Sequence, residues 1–332
     1  MEQHHLGKTG PLVSAIGLGC MGMSGMYGPA DHAESIATIH AALDAGVTLL
    51  DTGDFYGMGH NEMLIGEALK GRDRDKALLS VKFGAQRDPT GAFLGFDGRP
   101  AAVKTSIAYS LQRLGVDHID IYRPARIDPN VPIEDTMGAI ADAIKAGWVR
   151  HIALSEVGAD TIRRAAAVHP IVDLQIEYSL ISRDIEDRIL PTCRELGIGI
   201  TAYGVLSRGL ISGHWQKEAA GQGDFRAASP RFQAENVDRN LALVEALRKV
   251  AAEKQVSVAQ IAIAWVVAQG NDIVPVIGAR RRDRLTEALG ALDFTLSAAD
   301  LAAIEQAVPK GAAAGTRYAA VQMAHLDSEQ GH

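Results

Sequence analysis

Short apolar runs alternate with longer amphipathic stretches along the whole chain, and this alternation constrains the fold more than any other feature. Runs that are short and apolar throughout are typical of parallel strands buried on both faces. The stretches between them have helical periodicity, and several are followed at once by a glycine, which commonly ends a helix. The apolar runs end near Leu18, Leu50, Val81, Ile121, Leu154, Ile176, Ala202 and Ile277.

Eight strand–helix units in a chain of 332 residues indicate one (β/α)8 barrel, or TIM barrel. No break in composition separates the units, so we expect residues 1–332 to form a single domain. We also expect a short N-terminal β-hairpin and extended loops at the barrel mouth. The polar stretch from Gly213 to Asn236 is predicted to be one of these loops. The Ala- and Gly-rich segment from Lys310 to His332 is predicted to be a partly mobile tail.

Bulk composition excludes several classes of protein. The net charge of −7 and the pI of about 5.9 argue against a nucleic-acid-binding surface. No apolar run approaches the roughly 18 residues of a membrane span, and the N-terminus lacks the apolar core of a signal peptide. The two cysteines, Cys20 and Cys193, indicate no disulfide framework and favour a cytoplasmic location. We predict no metal site and no nucleic-acid or membrane partner.

The segment from Gly17 to Gly22 matches the G-x-G-x-x-G pattern of dinucleotide-binding Rossmann folds. Two observations disfavour that interpretation. A loop rather than a helix follows Gly22, and the next strand-end acid, Asp51, comes about thirty residues later instead of about twenty. We therefore interpret the segment as a flexible loop at the mouth of a barrel.

An acid, a phenol and an amine occur at the ends of two neighbouring apolar runs. Asp51 ends one run, Tyr56 follows in a glycine-containing loop, and Lys82 ends the next run. The carboxyl ends of barrel strands meet at the mouth, where barrel enzymes carry their catalytic groups. An ammonium within about 4–6 Å favours the phenolate, so Lys82 could tune Tyr56 as a proton donor while Asp51 holds the lysine. A salt bridge beside a packed tyrosine explains the same residues equally well.

Two further segments suit a phosphorylated ligand with a flat ring. Four arginines lie between Arg280 and Arg284, where a strand end meets a helix start, and guanidinium groups bind phosphate in a fork. A solvated basic turn is the alternative interpretation. Tyr203 ends another apolar run and precedes a Gly/Ser loop, which could stack on a ring and cradle a diphosphate. That second pattern is weak evidence on its own.

Taken in this order, the segments resemble the aldo-keto reductase superfamily over nearly the whole chain. The stretch from Asp51 to Glu62 resembles the highly specific signature at the family's second barrel strand. Val81 to Gly84 resembles its lysine motif at strand three. Leu154-Ser155-Glu156 and Gln175 to Ser179 resemble its motifs at strands five and six.

The resemblance implies NADPH-dependent reduction of an aldehyde or ketone, with hydride passing from the nicotinamide to the carbonyl carbon. It implies that Tyr56 protonates the oxygen, that Lys82 tunes Tyr56 and that Asp51 orients Lys82. The arginines favour NADPH over NADH. The implied cofactor residues are Ser155 and Gln175 at the carboxamide, Tyr203 stacked on the nicotinamide, Gly204, Val205, Leu206, Ser207 and Arg208 at the pyrophosphate, and Gly278, Ala279, Arg280, Arg284 and Glu287 in the segment for the 2′-phosphate and adenine.

The sequence departs from the family at its fourth catalytic position, a histidine at the end of strand four. Here the run from Ile119 to Asp128 places Ala125 at that position. Alanine cannot donate a hydrogen bond to the carbonyl, and losing one such donor can slow turnover about 100- to 1000-fold. A water molecule or Arg123 could take the role, or the space could admit a bulkier substrate. Ala288, where the family usually has asparagine, is a second departure and concerns the adenine.

Two alternative functions follow from the missing histidine. The alanine–arginine pair at positions 125 and 126 resembles a pyridoxal-reductase-like branch of the family. The other alternative is a protein with low turnover that binds NADPH and reports redox state, as potassium-channel β-subunits do.

Overall fold

The computed structural model of the protein describes residues 1–215 and 225–330. The strands of this part of the chain are β1 (Gln3–His5), β2 (Leu12–Ser14), β3 (Gly17–Gly19), β4 (Leu49–Gly53), β5 (Leu78–Phe83), β6 (Ala85–Arg87), β7 (Phe93–Phe96), β8 (Ile119–Pro124), β9 (Val149–Ser155), β10 (Ile171–Glu177), β11 (Gly199–Tyr203) and β12 (Ile273–Gly278). The α-helices are α1 (His32–Asp44), α2 (His60–Leu69), α3 (Pro100–Leu114), α4 (Ile133–Lys145), α5 (Ala159–Val168), α6 (Ile189–Leu196), α7 (Ala234–Glu253), α8 (Val258–Val267), α9 (Arg282–Leu289), α10 (Ala298–Ala307) and α11 (Ala320–Met323).

Eight of the strands close into a parallel barrel in the order β10-β11-β12-β3-β4-β5-β8-β9. Each predicted apolar run is one of these strands, because only a strand buried on both faces needs an apolar run of this kind. The last strand, β12, pairs in parallel with the first, β3, which completes the closure. The predicted (β/α)8 barrel is therefore confirmed, and the glycine-rich segment after Gly17 is a barrel strand followed by a loop.

The predicted N-terminal hairpin is present and closes the bottom of the barrel. Strands β1 and β2 pair antiparallel. Leu6 and Val13 of this hairpin are buried and pack with Leu49, Val172 and Val274, which lie near the starts of barrel strands. This apolar cluster fills the lower barrel, so the carboxyl ends of the strands are left to carry the site.

The helices surround the barrel and bury their apolar sides against it. Helix α1 begins at Asp31, whose carboxylate accepts a hydrogen bond from the Glu34 amide at 2.7 Å. Helix α8 begins with a capping box between Ser257 and Gln260. In residues 1–215 and 225–330 no single helix is both long and apolar enough to cross a membrane; α7 and α8 meet these two conditions only together, as a pair bent by 86°. The same residues contain no group of three or more His, Cys, Asp or Glu side chains able to hold a metal ion.

The extended mouth loops lie above the carboxyl ends of the strands. One carries the antiparallel pair of β6 and β7. Of the predicted loop from Gly213 to Asn236, residues 216–224 lie outside the described ranges, and α7 begins at Ala234. In the C-terminal segment, α11 and a short turn at Asp327–Glu329 lie near the mouth. Its predicted mobility and the single-domain organisation stay predictions.

Candidate active site

Asp51 and Lys82 meet at the mouth because their strands are neighbours in the barrel. Strand β4 pairs with β5 so that Gly53 lies opposite Lys82. The Lys82 Nζ atom donates to Asp51 Oδ2 at 2.6 Å, and the two side chains are only 5% and 7% exposed. The structure thus brings together two of the three predicted catalytic residues as a buried ion pair.

Two neutral side chains complete a closed hydrogen-bonded set, which we call the Asp51–Lys82 group: Asp51, Ser80, Lys82 and Gln175. Lys82 Nζ also donates to Gln175 Oε1 at 2.8 Å, and Gln175 Nε2 donates to Asp51 Oδ1 at 2.8 Å. Ser80 Oγ donates to the same Asp51 oxygen at 3.0 Å. The aspartate therefore accepts from three partners, which fixes the position of the lysine.

Tyr56 lies beside this group and is itself buried. The Lys82 Nζ atom is 5.2 Å from the centroid of the Tyr56 ring, which is within range of a cation–π interaction. Burial raises the pKa of Tyr56 well above its usual value, the Asp51 charge raises it further, and Arg126 acts in the opposite direction. Burial also lowers the pKa of Lys82, against the effect of Asp51. The phenol is consequently protonated at neutral pH, as a proton donor must be.

The strand before the expected histidine position, β8, is followed by Ala125. Ala125 is buried and presents only a methyl group. Arg123, which the sequence offered as a replacement for the histidine, is fully buried lower in the barrel. Its guanidinium donates to Asp173 Oδ2 at 2.7 Å and to Ser80 Oγ at 2.9 Å, so it supports the Asp51–Lys82 group from below. Arg123 therefore does not reach the position of the missing imidazole.

Arg126, which the sequence analysis named only as part of the alanine–arginine pair and gave no role, lies at this part of the mouth. Its Nη1 donates to the Ala125 carbonyl oxygen at 2.6 Å and lies 3.4 Å from Ser155 Oγ. Its charge acts on the pKa of Tyr56, and it lies close enough to Tyr203 and Glu156 to interact with both. The sequence contained a pattern that could have indicated this residue, because a charged side chain directly follows the position that lacks the histidine.

The predicted nicotinamide residues lie at the ends of β9, β10 and β11. Tyr203 donates from its hydroxyl to Glu156 Oε1 at 2.7 Å, and its oxygen lies 2.8 Å from the hydroxyl of Tyr318. Ser155 lies near Arg126, whereas Gln175 is bonded within the Asp51–Lys82 group. All three predicted residues are thus gathered at the mouth.

The predicted pyrophosphate loop, Gly204 to Arg208, follows β11, and three of its five residues have a left-handed backbone conformation. The φ angle is 66° at Gly204, 45° at Ser207 and 57° at Arg208. Runs of this kind turn successive N–H groups toward one side and form anion-binding concavities. Arg208 lies over the Tyr318 ring at 4.4 Å and pairs with Glu177 at 3.2 Å. The intervening Val205 is buried and Leu206 is partly buried.

The predicted 2′-phosphate segment lies at the end of β12 and the start of α9. Gly278 is exposed there and Ala279 is buried. Arg280 donates to the carbonyl oxygens of residues 27–29 in the loop after β3. Arg284 pairs with Glu287 at 3.0 Å, and Glu287 also bonds His214. Arg284 is exposed, whereas Arg280 and Glu287 are partly buried; the segment lies beside β3, at the same rim as the Tyr203 loop.

The C-terminal segment contributes two residues that no local pattern predicted. Arg317 is buried and donates to both oxygens of Glu156, at 2.8 and 2.6 Å, and also to Glu329. Burial alone would raise the pKa of Glu156, but the Arg317 guanidinium outweighs it and holds that pKa below its usual value. The Tyr318 hydroxyl is within hydrogen-bond distance of the Tyr203 hydroxyl, at 2.8 Å. This segment therefore closes one side of the mouth.

The sequence and the fold both match known proteins. The model of the aldo/keto reductase family matches residues 15–309. A probable aldo-keto reductase of Glycine max is 44% identical over 319 residues, covering 94% of this chain and 90% of that one.

Solved structures give the same result. A glycerol dehydrogenase from Gluconobacter oxydans superposes with a TM-score of 0.84 at 27% identity, covering 98% of this chain and 96% of that one. The holo form of an aldo-keto reductase from Bacillus halodurans superposes with a TM-score of 0.78 at 26% identity, covering 94% and 97%. The matched region, the relatives and the closed barrel agree that this chain belongs to the aldo/keto reductase family of NAD(P)-dependent oxidoreductases.

Proposed function

We propose that the protein reduces an aldehyde or ketone to an alcohol with NADPH, and that Tyr56 donates the proton. The observation that carries this proposal is a buried, protonated phenol whose ring centroid lies 5.2 Å from the ammonium of a lysine paired with a carboxylate. Family membership supports carbonyl reduction as the reaction. The assignment to Tyr56 comes from its place beside the Asp51–Lys82 group.

The residues at the mouth fit a nicotinamide dinucleotide. The left-handed loop from Gly204 to Arg208 offers backbone N–H groups to a diphosphate. At Gly278 an added Cβ would meet nothing within 4 Å among the described residues, so a ligand can approach the backbone closely. The Tyr203 ring provides a surface for stacking. A bound NADPH supplies the hydride.

The arginines of the 2′-phosphate segment support NADPH over NADH. Arg280 and Arg284 lie where β12 ends and α9 begins, and the Arg284 side chain is 43% exposed. Guanidinium groups bind phosphate in a bidentate manner. Glu287, already bonded to Arg284, orients that arginine.

The protein's own residues perform the proton transfer. Tyr56 donates its hydroxyl proton to the carbonyl oxygen as negative charge develops there. The Lys82 ammonium stabilises the resulting phenolate. Asp51, held by three hydrogen bonds, keeps the ammonium in place. Water then returns a proton to Tyr56 before the next turnover.

A second candidate function is a redox sensor that binds NADPH with little turnover. The specific observation in its favour is Ala125, which leaves the carbonyl oxygen without the usual imidazole. The pyridoxal-reductase-like alternative concerns the substrate and not the chemistry. It is tested in the same assay by including pyridoxal in the panel.

The experiment compares wild-type protein with Tyr56→Phe. We expect wild type to consume NADPH with at least one member of a panel of aldehydes and ketones, and Tyr56→Phe to lose about 100-fold or more of that rate. NADPH affinity, measured by fluorescence titration, should stay nearly unchanged. The control is Tyr109→Phe, since Tyr109 is 56% exposed on α3, away from the mouth.

Two results would overturn the proposal. Tight NADPH binding with no turnover on any carbonyl would favour the sensor. Full turnover by Tyr56→Phe would mean that another group donates the proton.

A further inference from the structure

We infer that Arg126 binds the carbonyl oxygen of the substrate, in the place of the histidine that this chain lacks at position 125. The inference rests on the proposed function, because it assigns a second donor to the same reaction. Three observations carry it: the position of the guanidinium, its unused donors and the pairing of the other arginines at the mouth.

The position is set by the end of β8. Arg126 lies two residues beyond Pro124, the last residue of that strand. Its Nη1 bonds to the Ala125 carbonyl at 2.6 Å, so the side chain turns back over the alanine toward Ser155 on the neighbouring strand. The guanidinium thus lies at the mouth beside Ser155, which is one of the proposed nicotinamide residues, and directly after the position of the missing histidine.

The guanidinium keeps donors for a substrate. Its contacts use Nη1 alone; within residues 1–215 and 225–330, Nε and Nη2 donate no hydrogen bond. Neither nitrogen is among the fully buried polar atoms that lack a partner, so both are accessible. Since a guanidinium carries five N–H donors, a carbonyl oxygen can be bound without breaking an existing bond.

The other arginines near Arg126 are already neutralised by carboxylates. Arg123 pairs with Asp173 at 2.7 Å, Arg208 with Glu177 at 3.2 Å and Arg317 with Glu156 at 2.6 Å. In the described part of the chain Arg126 forms no such salt bridge, because Arg317 engages both oxygens of Glu156. Arg126 is therefore the arginine of this set whose hydrogen-bond donors are not engaged by a carboxylate in the described residues.

An arginine in this position differs from a histidine in one measurable way. Negative charge develops on the carbonyl oxygen during hydride transfer, and a fixed cation stabilises it. An imidazole titrates near pH 6.5, whereas a guanidinium stays charged throughout the neutral range. If Arg126 is the donor, its protonation does not change near pH 6.5. The wild-type rate with a carbonyl substrate should consequently show no change near that pH that is caused by this donor.

The test uses the whole protein with NADPH and a carbonyl substrate that the wild type reduces. We expect Arg126→Met to lower kcat about 100-fold while the NADPH dissociation constant changes less than about twofold. Arg126→Lys should retain an intermediate rate, since an ammonium also donates to the oxygen. Arg150→Met is the matched control, because Arg150 is exposed near the start of β9, at the opposite end of the barrel.

Rescue separates a role in catalysis from a role in folding. The double variant Ala125→His/Arg126→Met should have a kcat at least about tenfold higher than that of Arg126→Met. Its rate should also depend on pH near 6.5, where an imidazole titrates. Ala125→His alone should change the wild-type rate little, because a donor is already in place. Thermal unfolding of each variant shows whether the fold is kept, and Arg126→Lys provides the answer if Arg126→Met does not fold.

Several outcomes contradict the inference. An unchanged kcat in Arg126→Met would overturn the inference. If only Arg126→Lys folds, an unchanged kcat in that variant would overturn it instead. In either case, turnover by the wild type would leave the proposed function intact. A rate that no Ala125→His rescue restores would reduce Arg126 to a structural role. Wild-type protein without turnover on any carbonyl would overturn the proposed function, and this inference with it.

Discussion

The Asp51–Lys82 group and the arginine segment 280–284 are both charged, but they are built in opposite ways. In the first, the ion-paired side chains are 5% and 7% exposed, and their partners come from other strands. In the second, Arg281 and Arg284 are 64% and 43% exposed and pair with carboxylates two or three positions away. The first set is held by contacts between barrel strands, whereas Arg281 and Arg284 are held by carboxylates close to them in sequence.

The difference in burial affects how firmly each set of charged side chains is held. A buried ion pair leaves an uncompensated charge when one partner is removed, so its geometry is strongly held. An exposed pair contributes about 0–1 kcal/mol, so its arginine can exchange a carboxylate for a phosphate at little cost. The first arrangement suits the proposed proton transfer, and the second suits the proposed reversible binding of a cofactor.

The largest effect should come from Lys82→Met, which leaves the Asp51 carboxylate buried without its cation. We expect the free energy of unfolding to fall by about 3–5 kcal/mol and carbonyl reduction to be lost. Urea denaturation and NADPH consumption measure the two effects. Lys76→Met is the control, because Lys76 is 78% exposed in a loose pair with Asp73. Equal stability of the two variants would mean that burial does not distinguish the regions.

A smaller effect concerns Asp54, just after β4, whose pKa is raised to about 7 by burial and by the charge of Glu62. The folded protein then binds a proton that the unfolded chain, with an aspartate pKa near 4, has already released. Stability should therefore fall as pH rises from about 4 to 7 and level off above that range.

Asp54→Asn should remove this dependence and make the protein more stable than wild type at pH 8, by about 1–2 kcal/mol after allowance for partial exposure. Urea denaturation at pH 5 and pH 8 gives the comparison. Asp75→Asn, at an exposed position, is the control and should keep the wild-type pH dependence. A wild-type protein that is equally stable at both values would show that Asp54 titrates normally.

The smallest effect should come from Arg284→Met in the exposed region. We expect NADPH to bind about tenfold more weakly, a loss of about 1.4 kcal/mol, with NADH affinity and protein stability nearly unchanged. Fluorescence titration with both cofactors measures this. Arg281→Met removes the same charge from an arginine bonded to Asp283 and serves as the control. Equal weakening of NADPH and NADH would place Arg284 away from the 2′-phosphate.

The sequence predicted the parts of the molecule that depend on local pattern. The barrel strands were found because doubly buried strands have a distinct composition, and Asp51 and Lys82 were brought together because parallel strands end at one rim. The contacts of Gln175 with Asp51, 124 residues away, and of Arg317 with Glu156, 161 residues away, could not be predicted. Such pairs depend on how loops and the C-terminal segment pack, which no periodicity records.

The hairpin of β1 and β2 limits where small molecules can enter the barrel. Leu6 and Val13 fill the lower barrel, so a ligand cannot pass into the barrel from that end. The proposed cofactor and carbonyl compound would both have to enter from the upper rim, where the proposed catalytic residues lie.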